Sequence, residues 1–450
     1  MDNKSSLYVN STQTDNYSKY IKTYDNHSNV LFYSVLVYFL MFLSNDTYLF
    51  GTNKSLFFVS IPRYIILFFC LIGLIYFIHE ESIQKRKKQI AMYCVLLLTF
   101  IAVSIVNKEL VNRTIIKILF MTGGFLFCVI LNFLDFSIAF RNALVFISVS
   151  SNILWILAYI VPGFVMQLPQ MENTAGVRFA TIFVAGIDLR AINSIAIRSV
   201  GIYWEPGVYQ MYLNMAIFFE LFVEEKPRKR YLLAYCIALF STFSTTGYIA
   251  FLWTMLTYIL FGGNKQQLSK YSRWMVILPF ITILFFLAIT GTTIGRQVFG
   301  KAANLKEGTT MVRLASFFAS IDIARSHPLN GVGMENVSDY MYKITMASDL
   351  YHGWTRQNTN TLLYQFAAHG CIFGGLFLLG TSSFGRVFKR GKIFTLFVFV
   401  LISIFYMGEN LMVSIFPYIL IFYGIGSTST IYRKEESNKD DYKESRYIIY

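Results

Sequence analysis

The sequence predicts an all-α, polytopic integral membrane protein with about twelve transmembrane helices and two large loops on one face. Composition is the first reason: 55% of the 450 residues are hydrophobic and only 14% are charged, which lies outside the range of soluble domains. The second reason is the repeated occurrence of apolar segments that approach the ~20 residues needed to cross a bilayer. Short polar turns separate most of them.

The predicted spans begin after a polar tail, residues 1–28, and end before a second tail, residues 426–450. The first tail lacks the charged-then-apolar pattern of a cleaved signal peptide. The spans lie at 30–49, 57–78, 90–106, 115–133, 142–162, 207–223, 231–243, 247–262, 273–291, 360–382, 393–408 and 411–425. The short pairs 231–243/247–262 and 393–408/411–425 are each either two full spans or a re-entrant hairpin.

The basic residues predict that both termini are cytoplasmic. Most of the 39 Lys and Arg residues fall in segments on the same side as the N-terminus, as the positive-inside rule requires. The net charge of +14 is therefore mainly an orientation signal, and no nucleic-acid partner is predicted. The five cysteines lie in apolar stretches without metal-ligand spacing, so neither a metal nor a cofactor is expected.

Two outer loops, residues 163–206 and 292–359, depart from the positive-inside rule. Their cations are mostly arginine: Arg178, Arg190, Arg198, Arg296, Arg313, Arg325 and Arg356, with Lys301, Lys306 and Lys343. One interpretation is that these are ordinary solvated residues, because long loops translocate regardless of charge. The other is that several converge on a phosphate or pyrophosphate, which the planar guanidinium group binds through two hydrogen bonds.

The later loop is predicted to contain two helices, over 309–326 and 335–346, because apolar residues recur there at near-helical spacing. Arg313 lies in the first turns of the first helix. His327 ends that helix because it precedes a proline, which disfavours helical backbone. The Gly331-Val-Gly333 run that follows is either a simple turn or a place where the backbone approaches a ligand closely.

The earlier loop runs from Arg198 through Tyr203-Trp204 into Glu205-Pro206 at the start of a span. A proline in the first turn and an acid near the positive end of the helix dipole both favour a helix start. Glu205 is therefore either a capping residue or a carboxylate that faces arginines and substrate. Trp204 is either an interfacial anchor or a platform on which a sugar stacks.

Four short motifs, in this order, resemble the O-antigen polymerase and O-antigen ligase superfamily. They are Arg198-x2-Gly-x-aromatic-aromatic-Glu205-Pro206, the run Leu239–Tyr248, Arg313 followed by His327-Pro-Leu-Asn-Gly-Val-Gly-Met-Glu-Asn336, and Asn360 followed by His369-Gly370. The resemblance covers residues 30–425. It implies a metal-independent, C-type glycosyltransferase in a bacterial inner membrane, with both large loops in the periplasm.

The resemblance implies that the chain polymerises undecaprenyl-pyrophosphate-linked oligosaccharides, and it admits a chain-length regulator protein as a partner. In that mechanism Arg198 and Arg313 stabilise the pyrophosphate leaving group, assisted by Arg190 or Arg356. The candidate bases for the acceptor hydroxyl are His352, then Glu205 and His327, and the remaining substrate contacts are Asn360 and Trp204. Many members carry a histidine immediately before the position of Asn360, where this chain has Thr359.

The sequence leaves three alternative functions open. A ligase of the same fold would transfer the finished glycan to lipid A core or to protein, with the same donor chemistry. A polysaccharide flippase or transporter would place ionisable residues along a path through the membrane, whereas the predicted span interiors are nearly free of charge. A membrane scaffold would not account for the arginines that cluster in two loops.

Overall fold

The computed structural model describes residues 27–44, 46–79, 86–174, 176–192, 196–224, 226–262, 309–347, 358–412 and 414–426. The predicted span 273–291 and most of the two terminal tails lie outside these ranges. Within them the chain is a helical membrane protein with one small sheet. Four helices are long and apolar enough to cross a membrane: Lys87–Val106, Val111–Ile130, Phe133–Ile160 and Thr361–Phe388.

The helices before the sheet are α1 (His27–Phe42), α2 (Leu56–His79), α3 (Lys87–Val106), α4 (Val111–Ile130), α5 (Phe133–Ile160) and α6 (Pro162–Gln167). After the sheet come α7 (Pro206–Phe222), α8 (Lys229–Ser241), α9 (Thr245–Phe261), α10 (Thr309–Ser326), α11 (Val337–Ala347), α12 (Thr361–Ser383), α13 (Lys392–Gly408) and α14 (Phe416–Gly426). A helix thus occupies the position of every predicted span outside 273–291. The largest boundary differences are at three places, since α1 ends at Phe42, α5 begins at Phe133 and α14 begins at Phe416.

The all-α prediction is wrong for the loop at 163–206, which folds into an antiparallel four-stranded sheet. Its strands are β1 (Gln170–Glu172), β2 (Arg178–Thr181), β3 (Gly186–Asp188) and β4 (Ser199–Gly201), hydrogen-bonded in chain order. The sheet packs against α5 and the turn after α1, where Tyr48 stacks on Phe179 at a ring-centroid distance of 5.4 Å. This packing holds the backbone that leads into Glu205.

Helix α7 lies at the centre of the bundle, because every residue from Pro206 to Phe222 is buried. Aromatic rings of α5 and α14 pack against those of α7, including Phe133 and Phe140 against Phe219 and Phe416 against Tyr212. The outer surfaces of α1, α2 and α3 expose large apolar side chains such as Phe32, Phe68 and Leu98. Such a surface is typical of helices that face lipid.

The sheet, α10 and α11 lie at the same end of the bundle, which we call the loop face. Contacts between sequence-distant segments show this: Tyr48 N donates to Ile202 O, and Asn107 Nδ2 donates to Asn330 O at 2.8 Å. At the opposite end, arginines close the helix termini. Arg86 donates to the carbonyl oxygens of Cys128 and Val129.

The turn Pro328–Gly333 docks into a break in α12. Gly370 has φ +76° and ψ −180°, a conformation that only glycine adopts readily, and it interrupts the helical hydrogen bonds. The freed carbonyl oxygens of Ala367 and Ala368 accept from Val332 N and Gly333 N at 2.9 and 3.0 Å. The Gly-Val-Gly run is therefore a docking turn that joins α10 to α12.

Candidate functional site

The site forms around Glu205 and the start of α7. Proline at the first position fixes a helical φ and needs no backbone donor, so α7 starts at Pro206. Glu205 occupies the N-cap position in extended conformation, with φ −154° and ψ 157°, yet its side chain makes no capping hydrogen bond. It is half-buried. The capping interpretation therefore fails, and the carboxyl group faces the site.

A second acid, Glu409, meets Glu205 from the turn between α13 and α14. Its side chain is completely buried. It lies directly on Gly207: a Cβ atom at that position would be only 2.1 Å from Glu409 Oε1. The backbone is held in place because Thr361 Oγ1 donates to Glu409 O at 2.5 Å. Glycine at 207 is thus required for the close approach of the two acids.

The surroundings of the Glu409 carboxyl group disfavour its ionised form. Within the described residues, neither of its oxygens has a hydrogen-bond partner of good geometry. Burial raises its pKa well above the usual value, and the neighbouring carboxyl of Glu205 raises it further. The cations Arg313 and Arg198 oppose these effects. Glu409 therefore keeps its proton at a pH at which an exposed glutamate is ionised.

Arg313 reaches this acid pair from the first turns of α10, as predicted. Its Nη1 donates to Thr246 Oγ1 at 2.9 Å, and its Nη2 lies 3.6 Å from Glu409 Oε1. The second distance is too long for a hydrogen bond, so the ion pair is loose. Because 37% of its side chain is exposed, the guanidinium retains donors for an external anion.

Arg198 joins the site from the earlier loop, immediately before β4. Its Nε donates to Thr242 O at 3.0 Å, and its backbone carbonyl accepts from Asp188 N at 3.2 Å. Burial lowers its pKa, while the carboxylates of Asp188 and Glu205 raise it. An arginine remains protonated through such a shift, so Arg198 contributes a partly desolvated positive charge.

Arg190 is already paired with an acid of the sheet. It forms a two-pronged pair with Asp188, with Nε–Oδ1 at 3.0 Å and Nη2–Oδ2 at 2.6 Å. These hydrogen bonds raise its pKa, and 61% of its side chain is exposed. Glu205 also contributes to the field at Arg190. Arg190 therefore lies at the rim of the site, with its fork already occupied by a carboxylate.

The turn after α8 and the first turn of α9 carry the two threonines that bind the arginines. Ser244 caps α9, since its Oγ accepts from Gly247 N at 3.3 Å. This places Thr246 in the first helical turn, where it accepts from Arg313, and leaves the Thr242 carbonyl free to accept from Arg198. The Leu239–Tyr248 motif thus has a structural basis: it connects the two loops.

Of the other predicted residues, Trp204 and Asn360 directly precede Glu205 and Thr361 in the chain, His327 lies away from the cluster, and two lie outside the described residues. Asn360 is 2% exposed and caps α12, because its Oδ1 accepts from Leu363 N at 2.8 Å. His327 follows the far end of α10, about 20 Å along the helix from Arg313, and packs edge-on against Tyr340. Trp204 is half-buried against the core. His352 and Arg356 lie outside the described residues.

Sequence reasoning missed Glu409, Thr242, Thr246 and Asp46. Glu409 had a visible signal, as the acid between two apolar segments, but that signal alone indicates a position near a turn and no role. Asp46 is 3% exposed and its Oδ2 accepts from Tyr212 Oη and Ser414 Oγ, both at 2.7 Å. It ties the turn after α1 to α7 and to the segment after Glu409. Its place within a predicted span concealed this role.

The cluster comprises two facing carboxyl groups and two arginines from separate loops, at the rim of a membrane bundle. Such a group can bind an anion through the arginines and can accept or hold a proton through the acids. Among the described residues, no set of three or more His, Cys, Asp or Glu side chains is arranged to hold a metal ion. No protein-family model matches the chain, and no curated protein matches it.

Proposed function

We propose that the protein polymerises undecaprenyl-pyrophosphate-linked oligosaccharide repeat units into an O-antigen or capsule-type polysaccharide, at the periplasmic face of a bacterial inner membrane. One observation carries the proposal: Arg198 and Arg313, from loops more than a hundred residues apart, converge on Glu205 and Glu409. The motif resemblance described above supplies the reaction class. The donor and the acceptor are both lipid-linked oligosaccharides.

The charges of the cluster suit this reaction. A hydroxyl oxygen of the acceptor sugar attacks the anomeric carbon of the donor, and a new C–O bond forms. The bond from that carbon to the pyrophosphate oxygen breaks, and its electron pair leaves with undecaprenyl pyrophosphate. Arg313 and Arg198 stabilise the negative charge that accumulates on this leaving group. Two lipid-anchored substrates at one membrane face also fit a site at the rim of the bundle.

The acceptor hydroxyl loses a proton in the same step, and a positioned base accelerates its removal. Among the described residues, Glu205 is the best placed base, since its side chain is half-buried beside Arg198 and makes no capping bond. The proton ends on the Glu205 carboxylate and passes from there to water. His327 is too distant for this role, and His352 stays a prediction.

Arginine substitutions test the proposal. In a strain that lacks the native gene, Arg313→Ala or Arg198→Ala, expressed at wild-type level, leaves the surface glycan at one repeat unit. The loss of one such donor lowers a rate by about 10²-fold or more. Matched controls are Arg325→Ala, exposed at the other end of α10, and Arg178→Ala, exposed on β2. A full-length sugar ladder from Arg313→Ala refutes its assignment.

Lysine substitutions then separate charge from geometry. Arg313→Lys keeps the positive charge but cannot form two parallel hydrogen bonds to a phosphate. We expect a short ladder, intermediate between those of wild type and Arg313→Ala. Full activity of the lysine variant shows that charge alone suffices. To separate polymerase from ligase, the purified protein is reconstituted with one lipid-linked repeat as the only glycan. Longer chains identify a polymerase, and no reaction without a second acceptor identifies a ligase.

The buried charge of Lys117 gives little support to a transport function. Lys117 Nζ donates to Gln365 Oε1 at 2.8 Å and contacts His369 Nε2 at 2.5 Å. The rings of Phe100 and Phe373 enclose it, at 5.4 and 5.2 Å from Nζ to the ring centroids. This is a local, enclosed contact near the Gly370 break. A transport path requires a series of such groups across the membrane.

A further inference from the structure

Glu409 is a second acid at the site, although the proposed reaction needs only one base. Its side chain is fully buried. The start of α7 leaves space for this side chain only because residue 207 is glycine. The positive end of the α7 dipole lies beside it. A buried carboxyl without hydrogen-bond partners of good geometry is costly for a fold, which favours a functional reason for it.

The groups that face Glu409 define its environment. Within the described residues, the charged ones are Glu205 at the start of α7, Arg313 on α10 and Arg198 before β4. From helices α9 and α12, Thr246 lies against Gly408 and Thr361 donates to the Glu409 carbonyl oxygen. Two acids and two arginines therefore lie close together around the buried Glu409 side chain. If both acids were ionised, they would neutralise both arginines, and no net positive charge would remain for a pyrophosphate.

We propose that Glu409 is a positioning residue for the glycosyl transfer, which holds the single proton of the Glu205–Glu409 pair. In the protonated form it donates a hydrogen bond toward Glu205 and leaves Arg313 free for the pyrophosphate. In the ionised form it captures Arg313 and weakens the anion site. This inference rests on the proposed function, and it predicts that pyrophosphate affinity depends on the protonation of Glu409.

The test uses the full-length protein in detergent and inorganic pyrophosphate as the probe, with affinity measured by calorimetry from about pH 6 to about pH 9. Glu409→Gln is the key variant, because the amide mimics the protonated acid in shape and charge. We expect wild type and Glu409→Gln to bind within about twofold of each other at the acid end. As pH rises, wild type loses about tenfold relative to the variant, since ionised Glu409 adds a negative charge beside the ligand.

Pyrophosphate itself titrates in this range, so the informative quantity is the ratio of the two affinities at each pH. Parallel profiles for wild type and Glu409→Gln overturn the proposal, as does a variant that folds but binds weakly at every pH. The matched control is Glu172→Gln, a partly exposed acid of the sheet that pairs with Lys54. Its profile must follow wild type.

A second measurement covers the case in which Glu409→Gln does not fold. Glu205→Gln keeps Glu409 but removes the negative neighbour that opposes its ionisation. The fall in pyrophosphate affinity then begins at lower pH than in wild type, and an unchanged onset overturns the pairing. Infrared spectra provide a ligand-free check: the carbonyl stretch of a protonated carboxyl is present in wild type at neutral pH and absent in Glu409→Gln. Its absence from wild type overturns the proposal.

Failure of this inference and failure of the proposed function give different results. If wild type does not bind pyrophosphate at any pH and yields no glycan, the glycosyltransferase assignment fails, while the infrared band still reports on the pair. If wild type polymerises normally but both profiles are parallel, only the role of Glu409 is refuted.

Discussion

One methyl group at residue 207 is expected to disable the site. Gly207 lies under the Glu409 carboxyl, and a Cβ atom there would stand 2.1 Å from Oε1 and 2.7 Å from the carboxyl carbon. Ordinary contact needs about 3.5 Å, so the Gly207→Ala change displaces the carboxyl by more than about 1 Å. The backbone of Glu409 cannot follow, because Thr361 holds its carbonyl oxygen.

The expected magnitude follows from this displacement. A misplacement of about 1 Å in a preorganised site costs about 10²-fold in rate, whereas an extra methyl in a packed core costs about 1–3 kcal/mol of stability. We therefore expect Gly207→Ala to reach the membrane as a folded protein and to yield mainly single-repeat glycan. The assay is a surface-glycan ladder at matched expression, with the thermal midpoint of the purified protein alongside.

Gly163→Ala is the matched control. Both glycines directly follow a proline that begins a helix, but a Cβ atom at Gly163 would meet nothing within 4 Å. The control should retain a full ladder. If Gly207→Ala also gives a full ladder while remaining folded, the close contact between Gly207 and Glu409 has no functional importance, and the reasoning about the acid pair is refuted.

Three further changes follow from the same structure. Gly370→Ala, which forces an alanine to φ +76° with its Cβ 2.1 Å from Leu329 O, should destabilise the protein by at least about 2 kcal/mol and lower its thermal midpoint in detergent. Burial raises the Asp46 pKa from 3.8 to about 6, so the folded state binds the proton more tightly than the unfolded state does. Wild-type stability should therefore fall by about 3 kcal/mol as pH rises from about 4 to 6, and Asp46→Asn should abolish this fall. A wild-type thermal midpoint constant over that range contradicts this prediction. His327→Gln should retain a full glycan ladder, because His327 lies about 20 Å along α10 from Arg313, and a one-repeat product would assign it a catalytic role.

Hydrophobic periodicity was a sound guide to helix positions and a poor guide to helix lengths. It placed a helix at each predicted span within the described residues, and the helix at Thr309–Ser326 matches the predicted bounds. It overestimated α1, which ends at Phe42, because Ser44, Asp46 and Thr47 are buried polar residues of a turn that packs against the sheet. Their burial depends on tertiary contacts, which the periodicity of a single segment does not show.

The sheet escaped detection for a different reason. Its strands have only three or four residues, which is too short to show the alternation of polar and apolar side chains that indicates a strand. Residues such as Phe179, Ile187 and Val200 are all buried, so the sheet has no regular solvent face to mark it. Its function is to position Arg198 and the approach to Glu205.

The arginines of the site could be predicted from the sequence more readily than the buried acid Glu409. Arg198 and Arg313 stood out because cations in outer loops depart from the positive-inside rule. No comparable rule exists for Glu409, whose importance depends on a glycine two hundred residues earlier and on the turn that carries it. Contacts of this kind depend on tertiary packing, and a single sequence does not contain the distances that reveal them.

The short helix pairs explain why the acids and arginines meet where they do. Helix α8 has 13 residues and α14 has 11, which gives lengths of about 20 and 17 Å, against a hydrocarbon core of about 30 Å. Helix α8 begins beside Arg228, at the end where the arginines close the helix termini. The turn that carries Thr242 therefore stops about 10 Å short of a full crossing, and the turn that carries Glu409, at the end of the 17-residue α13, stops about 5 Å short. Charges in such a recess are poorly screened by water, so each arginine interacts more strongly with an anion there than at an exposed surface.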